Sequence, residues 1–390
     1  MFNLPDNVIK IIDTIEGAGY TAWCVGGCVR DMLMGKLPDD YDIASSAPCE
    51  EIQRLFPKTV PTGIQHGTIT VVMDGTPYEV TRYRVDGEYN DNRHPENVNF
   101  TADFSLDLSR RDFTVNAIGY NENRGLCDLY GGKEDIEKKI IRAVGNPTER
   151  FLEDALRIIR AVRFASVLEF EIEYDTLEAI KAQANLLENI ASERVTIELL
   201  KALSGKKASA LGVLIEAGGL SAFGIKAVAD WSTLDTLPKI SLLRLAALAQ
   251  ICFADIHEVV QRLRLSNKQK TELLGYFEIL DLKELTPKNL KPFAKSVGYN
   301  NLVIAVEAYG VLNNEDVKEV ANKIQLAAER NEPYSIEMLD ISGNEIKALG
   351  FSGSDIGVVQ RKLLNIVLDD PKLNTKEKLV SAISNFKTSD

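Results

Sequence analysis

The sequence predicts an α+β fold, with an N-terminal mixed five-stranded sheet carrying helices and an all-helical remainder. Two observations predict it. Up to residue 145, short β-rich runs alternate with helical patterns and Gly, Pro and Asp punctuation. Beyond Gly145-Asn146-Pro147 that alternation stops, and Leu, Ala, Ile, Glu and Lys recur at three- and four-residue spacing. At 390 residues the chain also exceeds what one hydrophobic core usually holds, so two to four domains are expected.

The elements follow in order. An apolar strand ending near Cys24 enters Gly26-Gly27, and a short helical pattern carrying Arg30 begins at once. Asp39-Asp40-Tyr41-Asp42-Ile43-Ala44 reads as the next strand. Thr68–Met73, Tyr78–Tyr83 and Phe113–Tyr120 are β-rich runs, giving five strands in all. Segment 85–100 is polar, rich in turn residues and longer than a compact fold needs, which marks a functional loop containing His94. Pro147 precedes a strongly periodic helix through Arg163. Breaks among the later helices are expected at Leu203-Ser204-Gly205, Leu285-Thr286-Pro287 and Asn331-Glu332-Pro333.

Composition narrows the class. Hydrophobic and charged fractions of 45% and 26% are those of an ordinary globular protein. The cysteines, Cys24, Cys28, Cys49, Cys127 and Cys252, are scattered, odd in number and never spaced C-x-x-C. That argues against a disulfide framework and a zinc ribbon, and for reduced thiols in the cytoplasm. No leader-like pattern follows Met1 and no apolar run approaches membrane-spanning length, so neither export nor insertion is expected. The net charge of −12 confines any nucleic-acid contact to local basic clusters. Three exist: Arg142, Arg150, Arg157, Arg160 and Arg163; Arg262, Arg264, Lys268 and Lys270; and Lys283, Lys288, Lys291 and Lys295.

Three constellations carry chemistry. In the first, glycines at a strand-to-helix turn let backbone approach a phosphate without a Cβ in the way, and Arg30 adds a fixed positive charge. Asp40 and Asp42, two apart on a strand, share a face and call for a divalent cation with hard oxygen ligands, Mg2+ being the obvious one. Second, Arg110-Arg111-Asp112-Phe113-Thr114-Val115-Asn116-Ala117 offers paired guanidinium forks suited to a triphosphate. A third carboxylate beside the metal pair is expected from Asp112 or from Glu79. In the third constellation, Asp154, Arg157 and Arg160 recur every three residues and share a helix face, from which Arg163 drifts away. Cytosine and adenine each present an amine donor beside a ring-nitrogen acceptor. Asp154 would accept from the amine and Arg157 donate to the ring nitrogen, leaving uracil and guanine with unpaired groups.

G-G-x-V-R-D, D-x-D, R-R-D-F-T-x-N-A and E-D-x-L-R-x-x-R, in that order over residues 20–165, resemble the motifs of class II tRNA nucleotidyltransferases. These are the CCA-adding enzymes, within the DNA polymerase β-like nucleotidyltransferase superfamily. The resemblance implies a catalytic head over 1–145, a base-recognising neck over 146–205, a body over 206–300 and a tRNA-binding tail over 301–390. It implies metal ions on Asp40 and Asp42 as the catalytic pair, and an incoming ATP or CTP contacted by Gly27, Arg30 and Arg111. Asp154 and Arg157 would select the base, supported by Arg160 and Arg163.

The implied reaction is attack of the tRNA 3′-hydroxyl on the α-phosphorus of CTP or ATP with loss of pyrophosphate. Family members that add only the two cytidines lack the loop that segment 85–100 retains, which points to full CCA addition or to addition of A alone. A poly(A) polymerase would carry a longer, more basic C-terminal part. From another class, the rival is a silent RNA-binding module, which would need neither metal ligand. With only His66, His94 and His257, a histidine-rich metal site is not expected. The predicted partners are tRNA, ATP and CTP, with no membrane. Oligomeric state stays open, a homodimer included.

Overall fold

A computed structural model describes residues 2–86, 98–226 and 230–387. Segment 85–100 therefore falls largely outside the described residues, His94 included. The chain divides into two compact units, Met1–Ala227 and Val228–Asp390.

The first unit opens with α1 (Asp6–Gly17), whose Val8, Ile11, Ile12 and Ile15 form one buried stripe at helical spacing. Then follow β1 (Ala22–Val25), α2 (Gly27–Leu33), β2 (Ile43–Ser45), α3 (Cys49–Leu55), β3 (Thr59–Gly63), β4 (Thr68–Met73) and β5 (Thr76–Arg82). A two-stranded ribbon, β6 (Arg84–Asp86) with β7 (Val98–Phe100), brackets the segment that is not described. After α4 (Phe104–Ser109) come β8 (Ile118–Asn121), β9 (Gly125–Asp128) and α5 (Gly132–Lys138).

These strands make one sheet in the order β3-β4-β5-β2-β1-β8-β9. It is mixed, because β2 and β5 run parallel while every other neighbouring pair is antiparallel. It has seven strands where five were expected. The two extra strands are the edges. β3 contains Pro61 and Gly63, and β9 begins at Gly125, so neither shows the alternation of a central strand. The run Phe113–Tyr120 also differs from its reading as a strand. Thr114–Asn116 forms a 3-10 turn and pairing starts only at Ile118. Side-chain bonding competes with the ladder there: Thr114 donates to Asp135 at 2.7 Å, and Asn116 is engaged on both ends of its amide.

Beyond the sheet, α6 (Pro147–Glu153) starts where Asn146 accepts a hydrogen bond from the Thr148 backbone N–H. It is not continuous with α7 (Leu156–Leu168). Asp154 takes an extended conformation (φ −139°, ψ 101°), and its carboxylate accepts from the Leu156 N–H at 3.1 Å. An aspartate that can cap the next helix ends the one before it, so the expected single helix is two. α8 (Tyr174–Gln183) and α9 (Ser192–Leu203) complete the helical layer, and α9 ends at the predicted Leu203-Ser204-Gly205 break.

The second unit is helical throughout its described residues, with long helices at Ser241–Ile251, Asn267–Leu280, Tyr299–Asn313, Lys318–Glu329 and Ser354–Asp369. Thr286 caps a helix starting at Pro287, and Asn331 (φ 48°) follows the end of another, so the two remaining breaks fall where expected. Leu339, Ile341, Ile346, Val359, Leu363, Val367, Leu379 and Ile383 pack as a core at its C-terminal end. Among the described residues, no helix is long and apolar enough to cross a membrane.

Candidate active site

The site is built at the end of the central strands. β1 runs into Gly26, whose φ of 79° and ψ of −131° are open only to glycine. A Cβ at Gly26 would also stand 3.2 Å from the Arg111 Nη1, whereas one at Gly27 would meet only Arg30 at 3.6 Å. The backbone demand of the Gly-Gly pair therefore falls on Gly26.

Asp40 and Asp42 lie in the extended approach to β2 and not on the strand itself, which begins at Ile43. Pairing nevertheless reaches Asp42, because its carbonyl accepts from the Val25 N–H at 3.0 Å. In the parallel register Ile43 lies opposite Val80, so Asp42 and Glu79 sit side by side one step earlier. Both remain accessible to solvent on one side. The Asp42 carboxyl is raised above the usual carboxylate range by partial burial against the surrounding protein, then by the charges of Asp40 and Glu79; Arg111 opposes them. Carboxylates that repel one another with hard oxygen donors fit a divalent cation, the kind of ion nucleotidyltransferases generally use. Among the described residues, no group of three or more His, Cys, Asp or Glu is arranged to hold a metal ion.

The arginines divide into committed and spare. Arg111 donates through Nη2 to Asp107 at 3.0 Å, yet its buried Nε has no hydrogen-bond partner among the described residues. Its guanidinium, with Nη1 next to Gly26 and one donor unfilled, thus lies beside the glycine turn and acts on the charge of Asp42. Asp107, fully buried, accepts from Arg110 at 2.8 Å as well. Burial works against its ionisation, but the two guanidinium groups override it and hold the carboxyl below the usual range.

Arg30 is committed: two of its nitrogens donate to Asp31 at 3.0 and 2.9 Å and Nη1 donates to Asn116 at 2.7 Å. Asp112 lies next to this group, buried, with Oδ2 receiving two Arg160 N–H groups at 2.9 and 2.6 Å and Oδ1 receiving Asn116 at 3.2 Å. Burial alone would raise Asp112, but Arg160 pulls it down to about 2. Of the two candidates for third carboxylate, Glu79 faces Asp42 while Asp112 is held by Arg160.

The expected shared face of Asp154, Arg157 and Arg160 is broken by the turn between α6 and α7. Arg157, 7% exposed, donates to Glu153 at 2.6 Å and to the carbonyls of Arg150 at 3.1 Å and Arg110 at 2.8 Å. Asp154 has Arg194 at 3.6 Å. The two side chains therefore engage different partners and are not paired with each other. Arg163 pairs with the buried Glu198 at 2.8 Å, a carboxylate that Arg160 also approaches at 3.9 Å. The Arg163 guanidinium lies over the Phe164 ring, 4.0 Å from the centroid.

Sequence reasoning missed Asp107, Asn116, Glu153, Arg194 and Glu198. Asp107 had a signal, since it precedes Arg110 and Arg111 by three and four residues, the spacing of helical ion pairs. Asn116 stood inside the second motif without a role. Glu198 had no signal, because only folding brings it to Arg163.

A glycine turn at a strand end, carboxylates on the neighbouring strand and an arginine with donors to spare define a nucleotidyltransferase-type head. Residues 22–142 match the family model described as the Poly A polymerase head domain, and residues 169–223 match that of the probable RNA and SrmB-binding site of polymerase A. The CCA-adding enzyme of Ligilactobacillus salivarius (strain UCC118) is 50% identical over 207 residues, covering 52% of this chain and 51% of the relative. That of Geobacillus thermodenitrificans (strain NG80-2) is 48% identical over 225 residues, covering 57% and 56%. The chain thus spans about half the length of the curated relatives it matches. A crystal structure of the Bacillus stearothermophilus CCA-adding enzyme in complex with CTP superposes with a TM-score of 0.81 at 30% identity, covering 98% of both chains. The chain belongs to the CCA-adding enzyme family, the class II tRNA nucleotidyltransferases.

Proposed function

We propose that this protein adds C, C and A in turn to the 3′ end of tRNA from CTP and ATP, releasing pyrophosphate, in the cytoplasm. The observation that carries the reading is Arg111, whose Nη1 stands beside Gly26 and whose Nε is unfilled, in a chain that aligns over 98% of its length with a CTP-bound CCA-adding enzyme.

The triphosphate is bound by Arg111 and by the backbone at Gly26 and Gly27, where the α2 N-terminus faces the anion. Arg30 supports that turn from below. Asp40 and Asp42 would hold divalent cations, Mg2+ by the all-oxygen donor set, with Glu79 beside Asp42. A divalent cation on Asp40 and Asp42 would supply charge stabilisation on the phosphates and a lowered pKa for the attacking hydroxyl. Asp154 and Arg157 select the base. Reaching it requires Arg157 to exchange its Glu153 contact for the incoming base. Arg160 and Arg163 brace the helix through Asp112 and Glu198. Head, neck, body and tail over 1–145, 146–205, 206–300 and 301–390 remain the proposed division of labour, the tail binding tRNA. A homodimer is one arrangement open to the chain.

Extension of tRNA transcripts lacking the last three, two or one nucleotides tests the reading. Three additions to the shortest transcript support it. Addition to the longest alone assigns the protein to A addition, and runs of A to a poly(A) polymerase. Asp40→Ala should abolish incorporation while leaving tRNA binding nearly intact; lost binding would reassign Asp40 to a structural role.

A further inference from the structure

We infer that Asn116 is a positioning residue that couples the phosphate-binding turn to the base-selecting helix, an inference that rests on the nucleotidyl-transfer reading above. Three hydrogen-bonded links run side chain to side chain from α2 to α7. Arg30 Nη1 donates to Asn116 Oδ1 at 2.7 Å, Asn116 Nδ2 donates to Asp112 Oδ1 at 3.2 Å, and Arg160 closes on Asp112 Oδ2 at 2.6 Å. The Arg30 end of this chain and its Asn116 link are buried, at 9% and 7% exposure. Phe164 of α7 completes the circuit, with the Arg30 and Arg160 guanidinium groups at 5.4 and 5.5 Å from its ring centroid.

The turn itself is tied to the same place. The Asn116 carbonyl lies 3.9 Å from where a Gly26 Cβ would stand, and the Gly26 N–H donates to Ile118 at 3.2 Å. Asn116 therefore lies beside the phosphate end of the site, bonded there to Arg30, and reaches the base end through Asp112 and Arg160.

The chemistry of the link calls for an amide of this length. One end must accept from a cation while the other donates to an anion, and asparagine carries both on one flat group. Aspartate would keep the acceptor but set a second carboxylate against Asp112. Leucine would leave Arg30 and Asp112 each short of a partner in a buried place. A base that seats poorly against α7 then disturbs the turn that holds the triphosphate, so a mismatch is felt at the reacting end.

The test uses the full chain carrying Asn116→Leu, Asn116→Asp, Asp112→Asn or Asn116→Leu with Asp112→Asn, assayed for kcat and KM with CTP, ATP and UTP on truncated tRNA transcripts. Asn116→Leu should lower kcat/KM for CTP by about tenfold or more and that for UTP by less, so the CTP/UTP ratio falls. The double variant should be little worse than the poorer single, as expected of residues in one network. A loss with an unchanged CTP/UTP ratio, additive with Asp112→Asn, overturns the inference and leaves Asn116 a packing residue. Should Asn116→Leu fail to fold, Asn116→Asp gives the same two readings. A wild-type chain that extends no transcript overturns the activity reading and this inference with it. A wild-type chain that does so while Asn116→Leu and Asn116→Asp match it overturns the inference alone.

Discussion

Arg111 leaves its buried Nε without a partner, whereas all three nitrogens of Arg30 donate and Arg157 and Arg160 each bond through two, a difference that supports the proposed division into binding and bracing at the scale of single residues. A charge-assisted hydrogen bond to phosphate is worth about 1.5–3 kcal/mol. Arg111→Ala should therefore raise KM for CTP and ATP by roughly ten- to a hundredfold, with Arg111→Lys recovering part of the loss; steady-state kinetics with an unchanged KM would oppose the assignment. Arg157 poses the opposite case, a committed side chain asked to read a base. Arg157→Ala should relax discrimination against UTP, measured as the CTP/UTP ratio of kcat/KM. Selectivity equal to wild type would refute the idea that side chains act as template. Because Arg157 also bonds the Arg110 carbonyl, some loss of stability should accompany that variant.

Among the elements, the joint between α6 and α7 and the turn before β8 are where the local reading was incomplete. Periodicity from Pro147 to Arg163 is real, but it does not reveal that Asp154 turns the chain by accepting from the Leu156 N–H. The stretch after Arg111 is β-rich in composition, yet Thr114 and Asn116 spend their side chains on Asp135 and Asp112 and delay the strand. Asp112 links these elements to α7 and gives a pH-dependent prediction. Burial opposes its charge, Arg160 outweighs burial, and its pKa falls from 3.8 to about 2. A depressed carboxylate stabilises the fold fully above its unfolded pKa and loses that contribution as pH falls through the folded value. The stabilisation of about 2 kcal/mol at neutral pH should be roughly half lost by pH 3. Urea unfolding of wild type against Asp112→Asn should show a gap that narrows between about pH 4 and pH 2. A constant gap across that window rejects the ion pair as its source.

For the whole molecule, a net charge of −12 has to be reconciled with the proposed tRNA substrate. Ion pairing reduces the three basic clusters unequally. Lys288, Lys291 and Lys295 are paired with Asp369, Glu332 and Glu337, and the arginines from 142 to 163 are paired as well. Arg264, Lys268 and Lys270 have no ion pair among the described residues, and Arg264 and Lys268 are exposed. With a few phosphate contacts, raising salt from about 50 to 200 mM should weaken tRNA binding on the order of tenfold. Arg264→Glu with Lys268→Glu should weaken binding and flatten that salt dependence, read by filter binding; an unaltered slope would place the contact elsewhere.

The sequence by itself determined the fold class, the change from sheet to helices, the later helix breaks and the family, because each depends on local periodicity or on motifs whose order along the chain is diagnostic. It also brought Asp40, Asp42 and Arg111 into view, since their chemistry is visible in their spacing. Only the tertiary structure decided which arginine has donors free, that Glu79 lies beside Asp42, that the backbone demand falls on Gly26, and that Asn116 joins Arg30 to Asp112. Those facts depend on side chains from different elements meeting in a buried site, where every polar group must find a partner. Spacing along one strand or helix cannot say which partner that will be.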